Sequence, residues 1–236
     1  FSNSEMKKAI ASVTDNYKGL EILLTDPERC IQLASKQIAG ATMPEEKVIL
    51  ASILCILGQG KHAPVLAEAI RQYKDWDEGW HYTGMGQFGR SMSYLDAYMV
   101  ALGRLGDRRA VPVLLDKLKL LKDGDEFSHA RALALGLEML GDSRAAGPLA
   151  EALTRPGIGG HVIADIEEAI RRGGIANPND NTVRAQALRE LMLGRALFRC
   201  GDKDGIGRAI LEKYSKDFRG HLARHAAAVL KEKDKK

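Results

Sequence analysis

The sequence predicts an all-α fold, a right-handed α-solenoid of about six helix pairs. Three observations carry that prediction. One short unit of sequence, with the same punctuation each time, recurs along the 236 residues. Within each copy the apolar residues keep helical spacing, and no segment alternates with period two as a half-buried strand does.

The clearest copy runs from Ala101 to Leu115, with Gly106, Asp107, Arg109 and Pro112 at its turn. It is echoed from Leu135 to Leu149 through Gly141, Asp142, Arg144 and Pro148. An earlier copy turns at Gly58, Gln59, Lys61 and Pro64, and a worn later one at Gly201, Asp202, Asp204 and Gly207. Each part has a physical task. The Gly takes the left-handed conformation that ends the first helix. The Asp caps the next helix, and the Pro sits in a first turn that needs few donors. The Arg two residues after the Asp is placed to bond an Asp or a carbonyl in the neighbouring repeat. One helix pair is too small to bury its own apolar face, so stacking supplies the core.

These residues resemble the HEAT-like repeats of the phycobilisome-lyase type over roughly residues 45–215, with more degenerate pairs at each end. The departures are Gln59 for Asp, Asp204 for Arg and Gly207 for Pro, so the inter-repeat ladder is expected to weaken at both ends. The resemblance implies a stacked helical scaffold and admits a lyase-like chaperone as one function.

The glycines at 58, 106, 141 and 201 are 48, 35 and 60 residues apart. The middle spacing is an ordinary repeat. The outer two imply insertions, at about 73–92 and within about 154–181, the second with an extra or displaced helix over His161–Arg172 and the turn-rich stretch 173–181. The whole chain, 1–236, reads as one solenoid domain of about twelve helices without a clean boundary. Its start at Phe1, with no basic-then-apolar leader, reads as a piece of a longer polypeptide or a processed form.

Composition bounds the class. With 45% hydrophobic and 28% charged residues the chain reads as soluble, in the cytoplasm or periplasm. The longest apolar run, Val48 to Leu57, is about half of what a bilayer requires, so no membrane role is expected. Cys30, Cys55 and Cys200 lie far apart without CxxC spacing and read as buried free thiols. The net +4 divides into −3 over residues 1–183 and +7 over 184–236.

Seven of the 13 aromatic residues, both Trp included, fall within residues 73–98. Trp76, Trp80, Tyr82, Met85 and Phe88 have no helical or strand period that would bury them, and they are the candidate partner-binding residues. The loop either meets a partner or folds back onto the solenoid's own groove. Gly84, Gly86 and Gly89 spell a dinucleotide fingerprint but lack the preceding strand that gives it meaning. Arg184, Arg189, Arg195, Arg199 and Arg208 are the candidate anion-binding cluster. A DNA glycosylase-like reading follows from them, although the weak total charge disfavours nucleic acid. His221 and His225 share a helical face without a third ligand, so no metal site is expected. No His precedes a Glu, unlike the iron-dependent HEAT-like hydroxylases, and no nucleophile motif occurs.

The expected function is therefore a non-catalytic scaffold for another protein or another domain of the same chain. The loop also resembles the helical C-terminal region of some large bacterial flavin-dependent oxidoreductases. That likeness implies FAD in the parent polypeptide and no cofactor in this chain.

Overall fold

The computed structural model describes residues 1–15, 17–77, 93–172 and 182–233. Thirteen α-helices occur among them and no strand. They are α1 (Asn3–Ser12), α2 (Leu20–Leu23), α3 (Pro27–Gly40), α4 (Pro44–Ile56), α5 (Ala63–Gln72), α6 (Tyr94–Leu105) and α7 (Val111–Leu120). The remainder are α8 (Phe127–Leu140), α9 (Ala146–Leu153), α10 (Ile166–Arg172), α11 (Thr182–Arg199), α12 (Ile206–Tyr214) and α13 (Gly220–Lys233).

The helices form two rows. α4, α6, α8 and α11 stack in succession, while α5, α7 and α9 follow one another beside them. Apolar side chains between the rows make one continuous core from Met6 to Cys200, with Leu50, Leu102, Leu133 and Leu193 fully buried. A second cluster, around Leu191, Phe198, Leu211, Tyr214 and Leu222, packs α12 and α13 onto the other side of α11. The fold is an α-solenoid of stacked helix pairs.

Within the first row, α6 and α8 approach closely. A Cβ placed on Gly103 would lie 2.5 Å from the Gly136 Cα, so two glycines let the backbones meet. Gly207, standing where the repeat has Pro, has a similar reason. A Cβ there would lie 2.6 Å from the Phe198 backbone nitrogen and 2.8 Å from the Gly194 carbonyl oxygen. Close approach of α12 to α11 excludes any larger residue.

The turns follow their sequence in the middle of the molecule and depart from it at the ends. Gly106 (φ 77°) and Gly141 (φ 56°) are left-handed, and Asp107 and Asp142 cap the 3-10 turns Arg108–Ala110 and Ser143–Ala145. The outer turns, Gly60–His62 and Lys203–Gly205, have no side-chain cap. Arg144 makes the expected bond to the neighbouring repeat, donating to the Arg108 carbonyl at 2.8 Å while also pairing with Asp142. Arg109 pairs with its own Asp107 instead.

The extra helix is shorter than the sequence suggests. It starts at Ile166, and residues 161–164 are non-helical. Their backbone donors are taken by buried carboxylates: His161 N–H donates to Glu190 at 2.8 Å and Ile163 N–H to Asp217 at 3.0 Å. Tyr214 and Arg219 donate to the same two carboxylates, so this stretch is fastened to groups that α11, α12 and the turn before α13 already hold in place.

Candidate functional site at the stem of the first insertion

Between α5 and α6 the chain leaves the repeat pattern, and residues 78–92 separate the described ends Asp77 and Ser93. These ends are joined. Ser93 Oγ donates to Asp77 Oδ1 at 2.5 Å, and the Leu95 N–H donates to Asp77 Oδ2 at 3.2 Å. Ser93 Oγ in turn accepts from the Asp96 N–H at 2.9 Å, capping α6. One carboxylate thus ties the departing segment of chain to the returning one.

Below this clamp lies a buried polar pair. His129, on α8, shares a 2.8 Å hydrogen bond between Nδ1 and Asp96 Oδ1, and the two residues are 1% and 5% exposed. Burial pulls the His129 imidazole toward its neutral form, but Asp96, with Asp77 and Asp125 nearby, more than offsets it and holds the pKa above the ordinary range. The imidazole is bonded to a carboxylate rather than to a nucleophile.

Trp76 covers the pair. Its indole stacks on the His129 ring with centroids 4.5 Å apart and planes 10° apart, and Nε1 donates to Asp125 Oδ2 at 2.9 Å. Asp125 also accepts from the Lys122 N–H at 2.7 Å, while its carbonyl accepts from Arg189 at 2.7 Å. Lys117 of α7 donates to the Tyr73 carbonyl, fixing the end of α5. The stem is thus anchored to α6, α7, α8 and, through the loop after α7, α11.

This arrangement sorts the sequence candidates. Trp76 is half-buried and committed to the solenoid, the self-packing alternative, because His129 and Asp125 provide a stacking face and an acceptor. Trp80, Tyr82, Met85 and Phe88, with Gly84, Gly86 and Gly89, lie outside the described residues.

The structure breaks up the arginine cluster. Arg189 is buried and donates to Asp123 Oδ1 at 3.0 Å as well as to backbone carbonyls. Arg195 bonds Glu138 at 2.6 Å, and Arg199 joins Glu138 to Glu232. Arg208 lies over the Phe198 ring, 5.3 Å from its centroid, and 3.9 Å from Glu212. Of the five, only Arg184 is exposed without an ion pair to a described residue. Carboxylates of the chain thus lie against the other four, from distant stretches for Arg189, Arg195 and Arg199 and from the same helix for Arg208.

The remaining candidates are simply placed. His225 Nε2 accepts from Arg195 at 3.0 Å, since a guanidinium only donates, and burial together with that cation lowers its pKa. No three His, Cys, Asp or Glu side chains converge as metal ligands among the described residues. Cys30, Cys55 and Cys200 are buried and free, and burial pushes their thiols up to about 11, 12 and 12. No helix among the described residues is long and apolar enough to cross a membrane.

Two features escaped the sequence reading. Asp217-Phe-Arg219 repeats the Asp-x-Arg turn, with Arg219 N–H on Asp217 at 2.8 Å and the guanidinium reaching the His161 carbonyl at 2.6 Å. Its spacing matches Asp107–Arg109 and Asp142–Arg144, so a search for that triplet would have found it. The Asp96–His129 pair left no comparable signal.

The described residues define a helical-repeat solenoid with a clamped insertion. No protein-family profile and no curated protein sequence matches the chain. Among solved structures it aligns with the complex of CpcE and CpcF of phycocyanin lyase from Nostoc sp. PCC7120. The identity is 20% and the TM-score 0.44, over 85% of this chain and 75% of that one. The fold assignment rests on the helices and turns described above.

Proposed function

We propose that the chain is a non-catalytic helical-repeat scaffold that holds another protein, or another domain of its own polypeptide, through residues 78–92. The supporting observation is the clamp. Asp77 binds both ends of the insertion to the solenoid, over a base formed by Trp76, His129 and Asp96. Trp80, Tyr82, Met85 and Phe88 lie in sequence between these joined ends. A fixed attachment lowers the ordering cost of binding, and aromatic and Met side chains provide the contact area.

The partner is a protein surface rather than nucleic acid, since four of the five candidate arginines are spent on the chain's own groups. In the accessory-domain form of this reading the partner is a flavin-binding domain elsewhere in a longer polypeptide, and the cofactor sits there.

Photo-crosslinking tests the reading. A photoreactive residue replaces Phe88 in the full-length protein, in its native cells, with one at exposed Lys119 on α7 as control. The proposal expects a discrete adduct from position 88, to one protein or to another domain of the polypeptide, and none from 119. Adducts from 88 only to the solenoid helices, or identical products from both sites, overturn it.

A further inference from the structure

The end of α6 opposite the insertion carries a second surface. There the turns of successive repeats touch. A Cβ on Gly60 would meet Leu105 Cδ1 at 3.8 Å, Arg144 donates to the Arg108 carbonyl, and a Cβ on Gly201 would lie 3.6 Å from Ser143 Cβ. The four turns thus form one continuous edge, about 18 Å along α6 from the insertion stem.

The first three turns of this edge are basic. Residues 58–62, 104–109 and 141–145 hold Lys61, Arg104, Arg108, Arg109 and Arg144 against only Asp107 and Asp142. Both carboxylates are already engaged: Asp107 by Arg109, and Asp142 by Arg144. Lys61, Arg104 and Arg108 are exposed and make no ion pair among the described residues. This basic row lies in the part of the chain whose net charge is −3.

We propose that this edge binds an acidic, extended segment of a protein, with carboxylates recurring about every third residue. The spacing follows from the stacking. Neighbouring helices in a row lie about 8–10 Å apart, and an extended chain advances about 3.3 Å per residue. One carboxylate per three residues therefore meets one cationic turn per repeat. A nucleic acid fits less well. Its phosphates are far denser than the turns, so most of them would face no cation.

Binding of a fluorescent peptide with Glu at every third residue, spaced by Gly and Ser, tests the proposal on the full-length protein at low ionic strength. The comparison ligands are a peptide of the same composition with its Glu clustered, and a thymidine oligonucleotide of equal charge. The spaced peptide should bind tightest. Arg104→Glu with Arg108→Glu should weaken it by about tenfold or more, and Lys36→Glu with Lys213→Glu, an equal change in charge away from the edge, by less than about twofold. Circular dichroism on both variants establishes that the helices persist. Absence of binding, equal loss in both variants, or tighter binding of the oligonucleotide overturns the proposal.

Discussion

The Asp-x-Arg turn occurs in opposite settings at two places in the molecule. At Asp107–Arg109 the guanidinium closes on its carboxylate at 2.6 Å, with the Arg side chain 86% exposed. At Asp217–Arg219 the same closure measures 2.7 Å, but the Arg and Asp side chains are 16% and 0% exposed. The local geometry is the same, and the consequences differ. The exposed pair is screened by water, and such pairs contribute little. The buried pair also accepts the Ile163 N–H and donates to the His161 carbonyl, so it fastens the second insertion to the start of α13. A motif readable in three residues therefore acts according to what the rest of the chain lays over it.

Removing the buried carboxylate should have the largest effect. Asp217→Ala strands the Arg219 guanidinium and the Ile163 N–H, and should cost about 3–5 kcal/mol in urea unfolding. Next comes the stem of the first insertion. His129→Ala leaves Asp96 buried without its donor and Trp76 without its stacking face, at a cost of about 1–3 kcal/mol. Asp142→Ala should destabilise less, through the lost cap and the lost inter-repeat bond of Arg144. Asp107→Ala should lower the urea midpoint least of the four. Equal losses for Asp217 and Asp107 would mean that burial does not separate the two turns.

Titration sharpens the contrast. The Arg144 pairing holds the Asp142 carboxyl down to about 2. Its contribution is present above the ordinary carboxylate pKa and is lost as pH falls through that folded value. His129 runs the other way, because its folded pKa is raised. Its contribution is complete below about 6.5 and is lost as pH rises through the folded value. Urea midpoints of the wild type should therefore fall on the alkaline side, and those of His129→Ala should lack that component.

Much of the fold was legible in the sequence because its signals are local. Gly106, Gly141, Asp107, Asp142 and Pro112 act within a few residues of themselves, and the left-handed glycines and caps stand where the triplets placed them. The candidate site was much less legible, because its partners come from distant stretches of chain. Nothing near Trp76 announces His129, and nothing near Arg195 announces Glu138. The arginines looked like a patch because their charges are close in sequence, while the carboxylates that neutralise them arrive only on folding. The helix expected from His161 starts only at Ile166, and the contacts of the non-helical stretch before it, to Glu190 and Asp217, come from later elements that nothing near His161 announces.

The central claim is that the clamp at Asp77 fixes the insertion for binding. It is tested most directly by repeating the crosslink from position 88 in an Asp77→Ala background, with far-ultraviolet circular dichroism on the same samples. The account predicts that the partner adduct falls sharply while helicity stays at the wild-type level. An adduct of undiminished yield with the clamp removed would contradict it.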